Sequence, residues 1–339
     1  MKTIPTRIGR LARGTFLAPG LVALALGLGA PAATTAQTVL KAAHSSSTTS
    51  TGHQALEHMA RQLKEKTDGR LTIQIFPNSQ LGSEREQIES VQLGNLDMTF
   101  ISSAVLGAFN PQFFALDIPF MFKDRAGVYR VLDGDIGTRL LASLDKVGIK
   151  GLAYWENGFR QLTNNVRPIR SPKDLEGMKM RTMENEVHIA AWKAEGANPA
   201  PLAFGELFTA LQQGTFDAQE GPINLFYDMK FYEVQKYITR TNHVYSPWPL
   251  LINPDVYNSF SPEDRAIFDQ AVKDATSFQR DLARKADDKA AAAMPQVQII
   301  DLTPEEHAAF ASRMGPIQDS VKKKVGAEVV EAIVAEVNR

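Results

Sequence analysis

The sequence predicts an α/β fold of two similar lobes braced by one long helix, and three observations carry that expectation. The first is the order of elements after residue 37. Gln37 to Ala43 alternates like a strand, and Gly52 to Lys66 sets Leu56, Met59, Ala60 and Leu63 on one helical face. Leu71, Ile73 and Ile75 then alternate with polar neighbours up to Pro77. Strand, helix and strand in that order open an α/β fold. The second is an internal echo. Ser90-Val91-Gln92-Leu93-Gly94-Asn95-Leu96-Asp97 resembles Ala210-Leu211-Gln212-Gln213-Gly214-Thr215-Phe216-Asp217. Both read as a helix end, a glycine able to take the left-handed cap conformation and a strand start, about 120 residues apart. The third is a helical pattern from the Ser261-Pro262-Glu263 start to about Ala293. At 1.5 Å per residue it spans roughly 45 Å, enough to run alongside both lobes.

The remaining elements fill in between. A helix is expected at about Ser83 to Leu93, a strand at Leu96 to Ile101, a helix at about Asp124 to Asp145 and a buried strand at Ile149 to Trp155. Phe113, Phe114, Phe120 and Phe122 read as core packing beneath a loop. Ser246 to Asn253 suits a strand with a proline-controlled entry, Val297 to Ile300 a short strand, and Pro304 onward a helix to the end.

The first three dozen residues differ from the rest. Lys2, Arg7, Arg10 and Arg13 form a basic start without an acid, and Phe16 to Leu28 is an apolar run broken by Pro19. Thr34-Thr35-Ala36 before Gln37 has the small residues of a cleavage site. That pattern is a secretory signal, too short for a bilayer span of ~20 residues, so a soluble exported protein is expected. Loss of its four positive charges takes the whole-chain charge from −1 to −5. A mildly acidic mature chain with scattered basic residues excludes nucleic acid as a partner. The 339 residues, 44% hydrophobic, are enough for sizeable cores without disulfides, and the chain has no cysteine.

Catalytic signatures are missing. There is no nucleophile elbow, phosphate loop or nucleotide-binding glycine fingerprint. His53 and His58 lie about 140° apart around their helix, unsuited to a shared metal. Asp217 and Glu220 form a spaced carboxylate pair, read as serving backbone caps and loop bonds. The chemistry that does stand out is cationic. Arg160 follows the apolar run Leu152 to Trp155, and Arg181 closes Met178-Lys179-Met180. Ligands of α/β folds bind at the carboxyl ends of strands, and an arginine fork grips a carboxylate with two parallel hydrogen bonds. A small-carboxylate site is therefore expected between Trp155 and Tyr237.

Several motifs in order carry a family resemblance. They are Pro77-Asn78-Ser79-Gln80-Leu81-Gly82, Trp155-Glu156-Asn157-Gly158-Phe159-Arg160-Gln161, Gly177-Met178-Lys179-Met180-Arg181, Phe204-Gly205-Glu206-Leu207, Gln219-Glu220-Gly221-Pro222 and Lys230 to Tyr237. Together they resemble the solute-binding subunit of tripartite ATP-independent periplasmic (TRAP) transporters, over nearly the whole mature chain. The resemblance implies a two-lobed periplasmic-binding-protein-like fold, a ligand cleft between lobes, and no cofactor, metal or reaction. It implies that Arg181 holds the ligand carboxylate, that Arg160 supports it from the cleft and that Phe204 forms an apolar wall.

Two positions depart from the family pattern. Many relatives carry Asn where Gly221 stands, and sialic acid binders carry Glu where Ser102 stands. Asn224, one helical turn on, is the candidate to replace the missing amide; Glu220 and His44 complete the expected ligand-binding set. Lobe I is expected to comprise residues 37–157 and 247–286, and lobe II residues 158–246 and 287–339. The expected function is capture of a small organic acid, either a sugar or hydroxy acid or a dicarboxylate. The expected partner is a TRAP membrane permease, and the expected form a periplasmic monomer cleaved near Ala36. An exported enzyme on an organic acid and a ligand-binding sensor subunit are the alternatives.

Overall fold

The computed structural model describes residues 37–339; the signal segment lies outside them. Eleven strands appear in chain order: β1 (Thr38–Ala43), β2 (Leu71–Phe76), β3 (Met98–Phe100), β4 (Lys150–Phe159), β5 (Gln161–Asn164), β6 (Lys179–Thr182), β7 (Asn198–Pro201), β8 (Ala218–Gly221), β9 (Tyr237–Arg240), β10 (Tyr245–Ile252) and β11 (Gln298–Asp301). The helices are α1 (Thr51–Lys66), α2 (Glu84–Gln92), α3 (Ser103–Leu106), α4 (Arg125–Asp133), α5 (Asp135–Ala142), α6 (Glu186–Ala194), α7 (Leu207–Gln212), α8 (Ile223–Asp228), α9 (Pro254–Ser259), α10 (Pro262–Ala292), α11 (Pro304–Ala311), α12 (Gly315–Val325) and α13 (Ala327–Val337).

Two sheets organise two lobes. The first has the order β2-β1-β3-β10-β4 and the second β11-β9-β5-β8-β6-β7. In the first, β1 pairs in parallel with β2 and β3, while β10 runs antiparallel between β3 and β4. All eight residues of β10 are buried, including Pro247 and Pro249. A proline in a central strand removes a ladder hydrogen bond, and the register shift at Ser246/Pro247 accommodates that loss. One face of this sheet packs Leu56, Met59 and Leu63 of α1 against Phe268, Ala271 and Ala275 of α10. The other carries Phe113, Phe114, Leu116 and Phe122, so the aromatic segment is core.

The echo is structural. Gly94 and Gly214 both take the left-handed conformation, at φ 73° and 72°. After each, an aspartate ties the incoming strand edge: Asp97 Oδ2 accepts the Lys41 N–H at 2.7 Å, and Asp217 Oδ2 accepts the Lys179 N–H at 2.9 Å. The loop-bond role read for Asp217 is thus observed.

α10 runs unbroken over 31 residues, with the Ser261 hydroxyl capping the Asp264 N–H. Elsewhere expected helices divide. The helix expected from Asp124 to Asp145 splits at Gly134, whose extended backbone ends α4 and starts α5. The C-terminal helix becomes α11, α12 and α13, broken last at Gly326 with φ 94°. Residues 315–337, expected with lobe II, bury Val321, Val330 and Ile333 in the core containing Phe113 and Leu132 of lobe I.

The chain passes between the sheets at Arg160, again at Thr241 to Val244, and through α10. The first two crossings lie side by side, the Arg160 N–H donating to the Val244 carbonyl at 2.8 Å. Gly158, at φ 126°, sits just before the first crossing, a backbone conformation that a side chain would strain.

Candidate functional site

A small cavity, partly open to solvent, lies beside the first crossing at Arg160. Of the residues expected from sequence, Arg181, Arg160, Phe204, Ser102, Gly221 and Glu220 line it. The structure does not bring His44 and Asn224 into it. His44 is buried against Phe100, with ring centroids 4.7 Å apart, and its Nε2 lies 3.0 Å from His53 Nδ1. Burial and then the neighbouring His53 push its pKa down to about 3, so it is a neutral core residue. The Asn224 Oδ1 accepts the Leu225 N–H at 2.7 Å. Its side chain borders a separate recess with Thr49 and Tyr227.

The two arginines differ in their partners. Arg160 leaves β4 with 2% of its surface exposed, and its Nε and Nη2 donate to the Glu220 carboxylate, the Nη2–Oε1 distance being 2.8 Å. Nη2 also donates to the Glu220 carbonyl at 2.8 Å. Glu220, on β8, is approached by His243 Nε2 at 3.2 Å and His188 Nδ1 at 3.8 Å. Burial would raise its pKa, but Arg160 and the two histidines hold it well below the usual carboxylate range. His188 Nε2 also lies 3.3 Å from Asp117 Oδ1. Burial opposes its charge, yet the two carboxylates push it up to about 9.

Arg181 has no such carboxylate in contact, and Glu220, Glu84 and Glu184 favour its charge from farther off. It stands on β6 with 2% exposure, and its Nε and Nη2 both donate to the Leu202 carbonyl, at 2.9 and 2.6 Å. Among the described residues no carboxylate oxygen comes within 4.0 Å of its guanidinium. Burial pushes its pKa down to about 10, with Glu220 opposing that and Arg160 reinforcing it. Phe204 lies over it, the Cζ atom 6.0 Å from the ring centroid, and packs edge-on against Phe231. The arginines are therefore not two equivalent cations. Arg160 is neutralised and built in, whereas Arg181 is buried charge facing the cavity.

Gly221 leaves ordinary space. A Cβ there would lie 3.6 Å from Gln219 Oε1 and 3.9 Å from Arg160 Nη2. Four polar cavity residues were absent from the sequence expectation: Glu84, Asn157, Gln219 and Ser46. Asn157 stood within the Trp155–Gln161 motif without a role. Glu84 reads in the sequence as an ordinary first-turn acid, because acids there suit the helix dipole. No signal marked Ser46 within its run of hydroxyls.

The arrangement offers an anion a buried guanidinium in a cavity with polar and aromatic walls. The Glu220 carboxylate at the cavity is occupied by Arg160 and by His243, whose Nδ1 lies 2.7 Å from Thr241 Oγ1. Among the described residues no cluster of His, Cys, Asp or Glu suits a metal ion. No helix among them is long and apolar enough to cross a membrane.

Two α/β lobes around a cavity with a buried guanidinium suit a solute-binding domain. Residues 42–324 match the bacterial extracellular solute-binding protein family 7 (DctP), and the chain belongs to that family. It is 37% identical over 297 residues to the 2,3-diketo-L-gulonate-binding periplasmic protein YiaO of Escherichia coli, covering 87% of this chain and 90% of that one. Among solved structures it is similar to the sugar acid binding protein DctPAm from Advenella mimigardefordensis in complex with galactonate. That match has a TM-score of 0.87 and 34% identity, covering 89% of this chain and 98% of the other. A TRAP periplasmic solute binding protein from Sulfurospirillum deleyianum with bound succinate matches with a TM-score of 0.85 and 33% identity, over 88% and 99%.

Proposed function

We propose that this protein captures a small organic acid in the periplasm, holds its carboxylate on Arg181 and delivers it to a TRAP membrane permease. The observation that carries this reading is the buried Arg181 guanidinium, which has no carboxylate partner while Arg160 beside it has one. Burying a charge without a partner costs several kcal/mol, and a bound carboxylate offsets that cost. The bound galactonate and succinate of the two similar structures and the diketogulonate of the bacterial relative are all acids, which supports the class.

In this reading Phe204 is the apolar wall beside the carboxylate, and Ser102, Gly221 and Arg160 shape the cavity around the ligand. Glu220 acts through Arg160, holding its fork in place. Asn224 and His44 have no contact with the ligand. Lobe I comprises residues 37–157, 247–286 and 315–337, and lobe II residues 158–246 with the segment from the end of α10 through α11. The mature protein is a monomer beginning near Gln37, after cleavage at Ala36. Mass spectrometry of small molecules released by denaturing the purified protein tests the ligand class. An organic acid is expected, and a neutral sugar or a peptide in its place sinks the reading.

A further inference from the structure

The segment that follows Arg181 is fastened to lobe I by buried polar groups. Asn185 caps α6, its Oδ1 accepting the Val187 and His188 N–H groups at 2.8 and 3.0 Å. That fixes the amide, and its Nδ2 donates to the Ala104 carbonyl and to Asp117 Oδ2, both at 2.8 Å. Asp117 closes the segment 111–117 of lobe I and is fully buried. Met183 and Val187 bury their side chains in the same core as Phe113 and Leu116. His188, 2% exposed, then lies between two carboxylates. Its Nε2 is 3.3 Å from Asp117 Oδ1, and its Nδ1 is 3.8 Å from Glu220 Oε1. Among the described residues no other cationic nitrogen comes within 4.0 Å of Asp117. A neutral imidazole has one N–H and one lone pair. Either tautomer sets that lone pair against a buried carboxylate, and only the doubly protonated ring meets both with an N–H.

Resting on the acid-capture reading above, we infer that His188 is a positioning residue, an imidazolium that joins Asp117 of lobe I to the Glu220–Arg160 pair at the site. It does not itself line the cavity. Its charge completes a buried set of two carboxylates and two cations: Asp117 and Glu220 with His188 and Arg160. Loss of the proton leaves Asp117 without a counter-charge, which is strongly destabilising in the interior, and loosens the hold of lobe I on α6. The other charges around α6 have partners of their own. Lys324 of α12 pairs with Glu186, Arg313 faces Glu195 at 4.0 Å, and His243 meets Glu220 with its pKa lowered by burial. Burial opposes the His188 charge too, but Asp117 and Glu220 push its pKa up to about 9. The stability tied to the imidazolium is therefore complete below the ordinary value of 6.5 and is lost as pH rises through about 9.

Nitrogen-15 NMR of the histidine rings, and titration calorimetry with galactonate and succinate, test this on the parent and on His188→Gln. In the parent at pH 8 one ring is expected to carry two protonated nitrogens, a signal missing from His188→Gln. At pH 7 the variant is expected to bind the better of the two acids about tenfold more weakly, an ordinary size for coupling between sites. By pH 10 the parent-to-variant affinity ratio is expected to fall to about one. Arg181, whose pKa is about 10, loses charge in both proteins, so its share divides out of the ratio. A merely structural role gives a ratio that does not move with pH. Thermal melting checks folding. Asp117→Asn, which keeps the shape and removes the carboxylate, is expected to lose the doubly protonated ring at pH 8, and it serves if His188→Gln does not fold. Parent rings all singly protonated at pH 8, or an affinity ratio constant up to pH 10, overturn the inference. A parent that binds neither acid removes the capture reading as well, whereas binding with a constant ratio leaves capture standing.

Discussion

At the scale of single residues, what matters is which buried charges are compensated. Arg160 and Arg181 are equally buried, but only Arg160 has its carboxylate. Truncating a charge partner at such a site costs on the order of 2–5 kcal/mol, so Arg181→Ala is expected to weaken ligand binding by roughly 30-fold or more. Arg181→Lys recovers only part of that, because an ammonium lacks the planar fork. Calorimetry showing Arg181→Ala within about twofold of the parent, ~0.4 kcal/mol, refutes the assignment. Glu195 offers a stability counterpart. Its side chain is buried beside Trp192, Phe310 and Met314, with Arg313 Nε only as near as 4.0 Å. Burial pushes its carboxyl up to about 8. Because the folded pKa is raised, the stability tied to the protonated form is complete below the ordinary carboxylate pKa and is lost as pH rises through about 8. Glu195→Gln should therefore melt like the parent at pH 4 and at higher temperature at pH 8. The difference grows by at most about 1.4 kcal/mol per pH unit across that window. Equal melting temperatures at pH 8 would count against the buried, protonated state.

At the scale of elements, the paired helix-to-strand passages repay attention. Gly94 and Gly214 turn the chain from α2 and α7 into β3 and β8, and Asp97 and Asp217 then tie β1 and β6 at matching places. No atom lies within 4 Å of a Cβ added at Gly214, so substitution there meets only backbone strain. Gly214→Ala is expected to lower the unfolding free energy by about 1–2 kcal/mol without changing ligand affinity. Gly214→Asn should lose less, since Asn tolerates the left-handed region. Urea titration reads the difference, and an unchanged midpoint for Gly214→Ala would show that the strain is relieved elsewhere. The long helix is tied in a different way. Gln279 is fully buried on α10, accepting the Glu156 N–H at 2.8 Å and donating to its carbonyl at 2.7 Å and to Thr51 Oγ1 at 3.0 Å. It fastens α10 to β4 and α1 at once. Gln279→Leu strands two backbone groups in the interior, an expected loss of about 2–3 kcal/mol in the same titration. A loss below about 0.5 kcal/mol would mean that water replaces the amide.

At the scale of the whole molecule, the site lies where segments cross between lobes. Arg160 follows the first crossing and His243 stands in the second, and both meet at Glu220. A ligand that touches residues of both lobes favours whichever arrangement brings both into reach. Small-angle scattering is therefore expected to show a smaller radius of gyration with a bound organic acid than without. An identical radius, with binding verified in the same sample, would argue that the lobes do not move. Turnover of the acid to any product would refute simple capture.

Much of this was legible in the sequence, for a physical reason that can be stated residue by residue. Alternation in Leu71 to Ile75, the one-sided face of α1, the Ser261 cap and the two glycine caps are local signals, because backbone geometry and solvent act on each within a few residues. They determined the α/β class, the doubled lobe and the bracing helix. Arg160 and Arg181 could be singled out in the sequence as candidate carboxylate ligands, because strand exits and arginine forks are also local features. The tertiary structure alone decided how those charges are shared. Glu220 lies 60 residues from Arg160, and no local pattern says that it neutralises one arginine and not the other. The same distance in sequence hid Glu84, whose helix-start position gave it an ordinary explanation until the fold turned it into the cavity. It also left the place of α12 and α13 undecided, since an amphipathic helix shows which face it buries but not what receives it.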